Sequence, residues 1–548
     1  MNPVIRPLDP GANVHAPPNT PVIMDLAVMG DTRPDRALAD LDWPSPYDAY
    51  HTLSRYLIGS LLTTIRALDP GDDAAAVIRA KAYDVITDLA FVTRLAFDIA
   101  NARREDRVLL YDARTSPMLA YLDTGGDPAK SPILRIWHHP VDRRWKTRSR
   151  KALRRTRSHL RARLTDHDRI DVHNRNNLVN TVLGSGQDAP IDWPVTNLDW
   201  TDGHKVPPIL TESVAELARS YTGTITHFIG DAALHRTLSA LGQHLISHHI
   251  AKCWADFEIL ERHMRTRPMG NALISGTPKH LGRLTGWLYR RNGRPVIRCA
   301  HGGERVFFTD YEWGLAEFPY CDIYYAHSAG ERDALENRLS SGATALVEPD
   351  KPIAFRTLGS PHHRSLLERS KARRRRATTG TIVYVAGGYL GEQFGDFPSR
   401  KPPDILYLDW QIDLIRALKK LGYRVVAKLH PAGIAGDARY LAHYADAILE
   451  GRFDPSSVSA DAFVFDFAGT AFFDALATDI PVVFADMAIR PFDPITRADL
   501  SARCPIIPVW RDARGRFRVD RNHLGEAIEN TINAETCPPG FHDRYFGA

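Results

Sequence analysis

Short apolar runs recur along the chain, and most are followed by a longer stretch whose apolar residues repeat at helical spacing. Such an alternation of short strands and helices is typical of parallel sheets covered by helices. The runs form two series, at residues 271–276, 294–300 and 321–327, and at 381–386, 423–431, 461–467 and 479–486. The pattern therefore predicts an α/β protein with two doubly wound, Rossmann-like domains.

The chain before the first series carries additional patterns. Helices are predicted at 45–68, 74–103, 211–221 and 231–264, and strands at 106–112, 132–137 and 170–173. Later helices are predicted at 278–290, from 331, at 408–421, 471–477 and 522–533. Four divisions follow: an irregular arm over 1–45, a first domain over 46–360, a linker over 361–380 and a second domain over 381–548.

Two strand ends in the second series carry polar residues. His430 and Pro431 end one run, and Gly469 and Thr470 follow the next. In parallel α/β sheets, ligands bind at the carboxyl ends of the strands. We expect Thr470 to cap the following helix, whose free N–H groups would bind a phosphate. Each feature also has a structural interpretation, because His-Pro can simply end a strand and Gly-Thr can simply cap a helix.

Taken together, three segments carry a resemblance. Residues 428–431 (KLHP), 469–476 (GTAFFDAL) and 480–484 (IPVVF) resemble the C-terminal half of GT-B glycosyltransferases. The likeness is to bacterial surface-carbohydrate enzymes that use cytidine nucleotides, namely capsule and O-antigen Kdo transferases, sialyltransferases and CDP-glycerol glycerophosphotransferases. It implies a GT-B-like fold, in which an N-terminal acceptor domain and a C-terminal donor domain face one cleft.

The resemblance also implies roles for individual residues. His430 and Pro431 would contact the cytidine nucleotide, and Thr470 would hold its phosphate. Many relatives have two adjacent serines at this turn, whereas this chain has an alanine, a glycine and Thr470. We add to the predicted donor site a glycine loop, a lysine on the strand of His430 and two residues of the GTAFFDAL segment: Gly387, Gly388, Lys428, Gly469 and Asp474.

The reactive group is expected from the first domain, across the cleft. His301 follows a predicted strand and is the first residue of a His-Gly-Gly-Glu motif that ends at Glu304. His301 would act as a general base or contact a phosphate. Glu304, Asp310 and Glu312 are nearby carboxylates that would serve as base or as nucleophile. The two glycines of the motif would let a sugar approach closely.

A basic run precedes the first series of strands. It includes Arg143, Arg144, Lys146, Arg154 and Arg155. One interpretation is a solvated helix face. The other is contact with an anionic glycan or with anionic lipid head groups, which attract basic residues by roughly 1 kcal/mol each. Nucleic acid fits less well because a single tryptophan in the run is not a stacking platform.

Composition narrows the class of protein. The chain has 548 residues, of which 44% are hydrophobic, and a net charge of +5. No signal peptide and no apolar run of about 18 residues is found, so we expect a cytoplasmic protein, with peripheral attachment to the inner membrane face as the alternative.

The five cysteines are scattered, which argues against a disulfide framework or a zinc knuckle. No metal and no cofactor beyond the nucleotide-sugar donor are expected, because His244 and His248 lack a third ligand and neither a dinucleotide fingerprint nor a P-loop is found.

The leading functional hypothesis is a glycosyltransferase that moves a sugar from a cytidine-activated donor to a surface polysaccharide or a lipid-linked glycan. CMP-Kdo is the first choice of donor. A CDP-glycerol or CDP-ribitol phosphotransferase is the second hypothesis. The third is a non-catalytic nucleotide-binding component of polysaccharide assembly.

Overall fold

The computed structural model describes most of the chain. The described residues are 21–29, 34, 38–68, 73–127, 169–184, 188–190, 205–276, 279–309, 314–340, 352–374, 379–389, 391, 401–430, 440–534, 538 and 540–547.

The strands of the described residues fall into two large sheets and one small one. They are β1 Val22–Ile23, β2 Leu109–Leu110, β3 Ile170–His173, β4 Asp188–Pro190, β5 Ala272–Ser275, β6 Val296–Cys299, β7 Ile323–Ala326, β8 Ala354–Thr357, β9 Thr381–Val385, β10 Arg424–Lys428, β11 Ala447–Leu449, β12 Ala462–Phe465, β13 Val482–Asp486, β14 Ile506–Arg511 and β15 Phe517–Val519.

The first large sheet has the order β4-β3-β5-β6-β7-β8, and all its strands are parallel. The second has the order β11-β10-β9-β12-β13-β14-β15, and only β15 is antiparallel. In each sheet the chain starts on an inner strand and winds in both directions, which is the doubly wound topology. The predicted α/β class with two such units is confirmed.

The helices of the same residues include counterparts of all the predicted ones, together with several that were not predicted. They are α1 Tyr47–Arg66, α2 Asp73–Arg104, α3 Pro117–Thr124, α4 Asn177–Leu183, α5 Thr211–Thr226, α6 Ala232–Thr266, α7 His280–Arg291, α8 Gly314–Glu317, α9 Ala329–Ser340, α10 Pro361–Arg374, α11 Asp404–Lys420, α12 Thr470–Leu476, α13 Arg497–Arg503, α14 Arg521–Asn533 and α15 Phe541–Tyr545. None of these helices is long and apolar enough to span a bilayer.

Helices α1, α2, α5 and α6 pack against one another, and α2 and α6 also pack on α7, which lies against β5 and β6 of the first sheet. Leu53, Leu57 and Leu61 recur every four residues on α1 and are fully buried, as helical spacing requires. Helix α6 begins after Asp231, whose carboxylate accepts hydrogen bonds from the N–H groups of Ala233 and Leu234. Its N-cap satisfies two of the donors that a helix start leaves free.

The described part of the N-terminal arm contains only a two-residue strand and a short 3-10 helix, Leu26–Met29, but it is packed against the rest of the protein. Strand β1 pairs in parallel with β2. Leu38, Leu41 and Trp43 are buried in the core of the second unit, and the N–H of Trp43 donates to the carbonyl of Arg514. The arm therefore packs against the second unit, because its apolar residues are too many to leave in water. Of the predicted strand at 106–112, only β2 forms; the one predicted at 132–137 lies outside the described residues.

Two further elements connect the units. The segment predicted to link them contains helix α10, whose start is capped by Ser360. The short C-terminal helix α15 returns to the first unit and packs on α9, where a Cβ on Gly330 would lie 2.8 Å from the ring of Tyr545. Arg338 of α9 also forms a buried ion pair with Asp493, with a separation of 2.7 Å. The two units are therefore packed tightly against each other.

Candidate functional site

One cavity of about 210 Å³ lies where the two large sheets meet. From the first unit it receives Asn176, His301 and His327, which follow β3, β6 and β7. Ser360, His362 and His363 follow β8, while Arg452, Thr470 and Asp474 follow β11 and β12 of the second sheet. The cavity is thus built from the carboxyl ends of strands in both sheets, the usual ligand position in such folds.

Two adjacent histidines and one aspartate converge on one side of this cavity. The Nε2 atoms of His362 and His363 lie 3.3 and 3.1 Å from the same Oδ1 atom of Asp474. Ser360 caps helix α10 through its Oγ, and Pro361 occupies the first helical position, which favours a helix start there. The histidines therefore lie in the first turn of α10, and Asp474 reaches them from α12.

Burial and charge define the protonation of this group. Burial is the main cause that lowers the pKa of His363. Burial alone would raise the pKa of Asp474, but hydrogen bonds and charge from His362 and His363 outweigh it and hold this pKa at about 2. Asp474 is therefore an ionised carboxylate at neutral pH. Among the described residues, these three form the one group whose metal-ligating atoms all lie within 4.8 Å of one another.

His327 lies next to this group, with its ring 5.4 Å from that of His363. It is 95% buried, and neither ring nitrogen has a hydrogen-bond partner among the described residues. Burial, followed by the charge of His363, lowers its pKa to about 3. His327 is thus a neutral imidazole with unsatisfied polar atoms that lines the cavity.

The His301 motif is split by the structure. His301 is exposed and lines the cavity, and Gly302 lines it as well. Glu304 is instead buried in a short 3-10 helix, with its Oε1 3.6 Å from Arg490 of the second unit. Gly303 has φ +71°, and a Cβ there would lie 2.1 Å from the ring of Phe473. The expectation that both glycines serve sugar approach is therefore wrong for Gly303, which packs between the units. Asp310 and Glu312 lie outside the described residues.

The predicted donor residues lie along the carboxyl edge of the second sheet. Lys428 of β10 and Phe465 of β12 both pair with Val385 of β9, so the three strands end at one level. Gly387, Gly388, His430, Gly469 and Thr470 follow these ends. This edge includes the point between β9 and β12 where the winding direction reverses, which is the usual nucleotide position.

Several details of the donor side differ from expectation. Thr470 is the first residue of α12, and Gly469 occupies the cap position, so the predicted capping by Thr470 is wrong. The Thr470 side chain is exposed to the cavity instead. Lys428 is buried and its ammonium donates to the carbonyl of Leu429. Asp474 binds His362 and His363, although we placed it among the nucleotide ligands.

Other donor positions have structural partners. The N–H of Gly387 donates to the hydroxyl of Tyr407, and a Cβ there would lie 2.6 Å from that oxygen. Partial burial, followed by the charges of Lys401 and Lys428, lowers the pKa of His430. Pro431 and the basic residues Arg143, Arg144, Lys146, Arg154 and Arg155 lie outside the described residues.

Sequence reasoning missed His327, His362 and His363. A signal for His327 was available, since it is the last residue of a predicted strand. The Ser-Pro-His-His sequence at 360–363 is a helix start, but the strand before it was not recognised and the segment was assigned to the linker.

Comparisons with known proteins add only distant likenesses. No family model matches the chain, and no curated protein does. Among solved structures, UGT2 of Phytolacca americana, complexed with UDP-2fluoro-glucose and pterostilbene, matches with 10% identity over 67% of this chain and 90% of that one, at a TM-score of 0.33. The kitacinnamycin glycotransferase matches with 11% identity over 68% of this chain and 92% of that one, at a TM-score of 0.32. UGT89C1 of Arabidopsis thaliana, complexed with UDP, matches with 10% identity over 70% of this chain and 86% of that one, at a TM-score of 0.28. At TM-scores and identities this low, the matches give no information about the reaction.

Proposed function

We propose that the protein is a nucleotide-sugar-dependent glycosyltransferase whose reaction takes place in the cavity between its two units. The observation that carries this proposal is the composition of the cavity. Its first-unit wall presents His301, and its second-unit wall presents Thr470 and Arg452. A base on one wall and phosphate-binding groups on the other are what transfer from a nucleotide donor to a hydroxyl requires.

The donor would bind along the carboxyl edge of the second sheet, with its nucleotide towards His430 and Gly387 and its phosphate towards the cavity. The hydroxyl of Thr470 and the guanidinium of Arg452 would then stabilise the charge that develops on the leaving phosphate. The resemblance of the KLHP and GTAFFDAL segments supports a cytidine nucleotide, and CMP-Kdo is our first choice of donor. A CDP-alditol would occupy the same edge and is the alternative.

His301 is the proposed general base. It is exposed in the cavity, so an acceptor hydroxyl can reach its imidazole. The carboxylate of Glu304 is directed to Arg490 and is 93% buried, which leaves it poorly placed for an acceptor. The acceptor would be a surface polysaccharide or a lipid-linked glycan, with the basic run as its proposed contact.

A thermal-shift screen with CMP, CDP, UDP and GDP tests the donor assignment. A nucleotide at about 100 times its Kd stabilises the native state by about 2.7 kcal/mol. We expect a cytidine nucleotide to raise the melting temperature most. His430→Ala should reduce this shift by about half or more, because loss of a hydrogen bond to a charged group weakens binding by roughly ten-fold or more. His443→Ala, which changes an exposed histidine elsewhere in the second unit, should keep the full shift.

Two outcomes would change the proposal. A larger shift with UDP would overturn the cytidine assignment and leave glycosyl transfer standing. If no nucleotide shifted the melting temperature, the donor site itself would be refuted. Release of labelled sugar from CMP-Kdo, compared with release of labelled glycerol phosphate from CDP-glycerol, then separates the two reactions.

A further inference from the structure

The spacing of His362, His363 and Asp474 fits three ligands around a small ion. Their two Nε2–Oδ1 distances are 3.3 and 3.1 Å. In a tetrahedral site with metal–ligand bonds of about 2.0–2.2 Å, neighbouring ligand atoms lie roughly 3.3–3.5 Å apart. An ion could therefore take its position between these atoms with only small shifts of the side chains.

The three side chains are held in place before any ion arrives. The ring of His363 packs 5.0 Å from Phe473 and 5.2 Å from Phe546, and the side chain is only 5% exposed. Asp474 follows Phe473 on α12 and is 11% exposed. His362 is 31% exposed and forms the side of the group that is open to the cavity. A site with fixed ligands loses little entropy on binding, which favours affinity.

A second observation points to a bound group at this wall. His327 lines the same cavity and both of its buried ring nitrogens lack a partner among the described residues. Leaving such a group unsatisfied costs about 1–3 kcal/mol. Water or another oxygen held by an ion in the cavity would supply the missing hydrogen bond.

We propose that His362, His363 and Asp474 bind one divalent transition-metal ion. Two imidazoles and one carboxylate suit Zn²⁺, Co²⁺ or Fe²⁺, whereas Mg²⁺ and Ca²⁺ prefer all-oxygen sites. Three protein ligands leave at least one position for water or for an oxygen of a substrate, as in catalytic zinc sites. The site joins α10, which follows the first sheet, to α12 of the second unit. The metal proposal does not depend on which group the protein transfers.

Metal binding to the full-length protein tests the proposal. After removal of metals with a chelator, Zn²⁺ is titrated by calorimetry and Co²⁺ by visible absorption. We expect one equivalent of each ion and the intense visible bands of four-coordinate Co²⁺. His362→Ala and Asp474→Asn should each weaken binding by more than the roughly 10- to 100-fold that loss of a supporting residue causes.

His248→Ala is the matched control. His244 and His248 lie one turn apart on α6 with rings 6.2 Å apart, a spacing that can bind ions adventitiously. The control should bind Zn²⁺ as the unmodified protein does. Circular dichroism checks that each variant folds. If Asp474→Asn does not fold, His362→Ala still tests the proposal, because the His362 side chain is 31% exposed and its replacement should be tolerated. Failure to bind one equivalent of Zn²⁺, or binding that survives both substitutions in the triad, would overturn the proposal.

Discussion

Glu331 provides a sharp test of how burial controls stability beside the cavity. Its carboxylate accepts a hydrogen bond of 2.6 Å from the N–H of His327, and its own N–H donates to the Oγ of Ser328 at 3.2 Å. These bonds resemble a capping box at the start of α9. The residue is only 1% exposed, so burial, together with the charge of Glu304, raises its pKa from 4.5 to about 8, against the hydrogen bond from His327 and the charges of Arg305 and Arg338.

The direction of the pH effect follows from this shift. A carboxyl group with a raised pKa favours its neutral form in the folded state, so its contribution to stability is fully present below pH 4.5 and is lost as the pH rises towards 8. Each pKa unit corresponds to about 1.4 kcal/mol, so the full shift is worth at most about 5 kcal/mol. Glu331→Gln keeps an oxygen that accepts from His327 and removes the ionisation.

The assay is urea unfolding, followed by circular dichroism, from about pH 5 to about pH 8. We expect the variant to gain stability relative to the unmodified protein as the pH rises, and to be the more stable of the two at the upper end. Taking the difference between the two proteins cancels the titration of the buried carboxyl groups that do not interact with Glu331. Glu336→Gln, an exposed position on the same helix, should change stability by less than about 0.5 kcal/mol. A pH-independent difference, or a variant that loses stability as the pH rises, would refute the reasoning.

Three more predictions follow from the junction of the two units. Once a donor is known, His301→Ala should lower turnover by about 10²–10⁴-fold with little change in the nucleotide-induced thermal shift, and equal losses in both would contradict a role in the chemical step. Gly303→Ala should cost about 1–3 kcal/mol more in urea unfolding than Gly293→Ala, because both glycines have positive φ but only the first has a neighbour in the way; equal costs would contradict the contact with Phe473. Asp493→Ala should cost about 3–5 kcal/mol because it removes the carboxylate of a buried ion pair with Arg338, whereas Arg219→Met, which removes two exposed ion pairs, should cost less than about 1 kcal/mol; similar costs would contradict the difference in burial.

The sequence predicted the elements whose apolar residues are buried on a sheet or helix face. Strands β5 and β12 are buried throughout and stood out as apolar runs. Strand β8 was missed because it lies at a sheet edge and its residues are alternately exposed and half-buried, so it carries no apolar signal. That omission had a consequence for the site, since the helix that begins after β8 carries His362 and His363. An edge strand is weakly encoded by hydrophobicity, and whatever follows it is then easily mistaken for a linker.

The candidate site depends on a contact that no local pattern encodes. His363 and Asp474 are 111 positions apart, and they meet because α10 and α12 approach each other at the junction of the two units. That approach requires a glycine at 303, where the ring of Phe473 fills the space of a side chain, and Asp474 is the next residue on α12. Two residues of the His-Gly-Gly-Glu motif therefore contribute to the site in different ways. His301 lines the cavity, and Gly303 leaves room for Phe473 of α12, the helix that carries Asp474. A substitution at Gly303 should thus weaken metal binding at Asp474 as well as stability, although it removes no ligand.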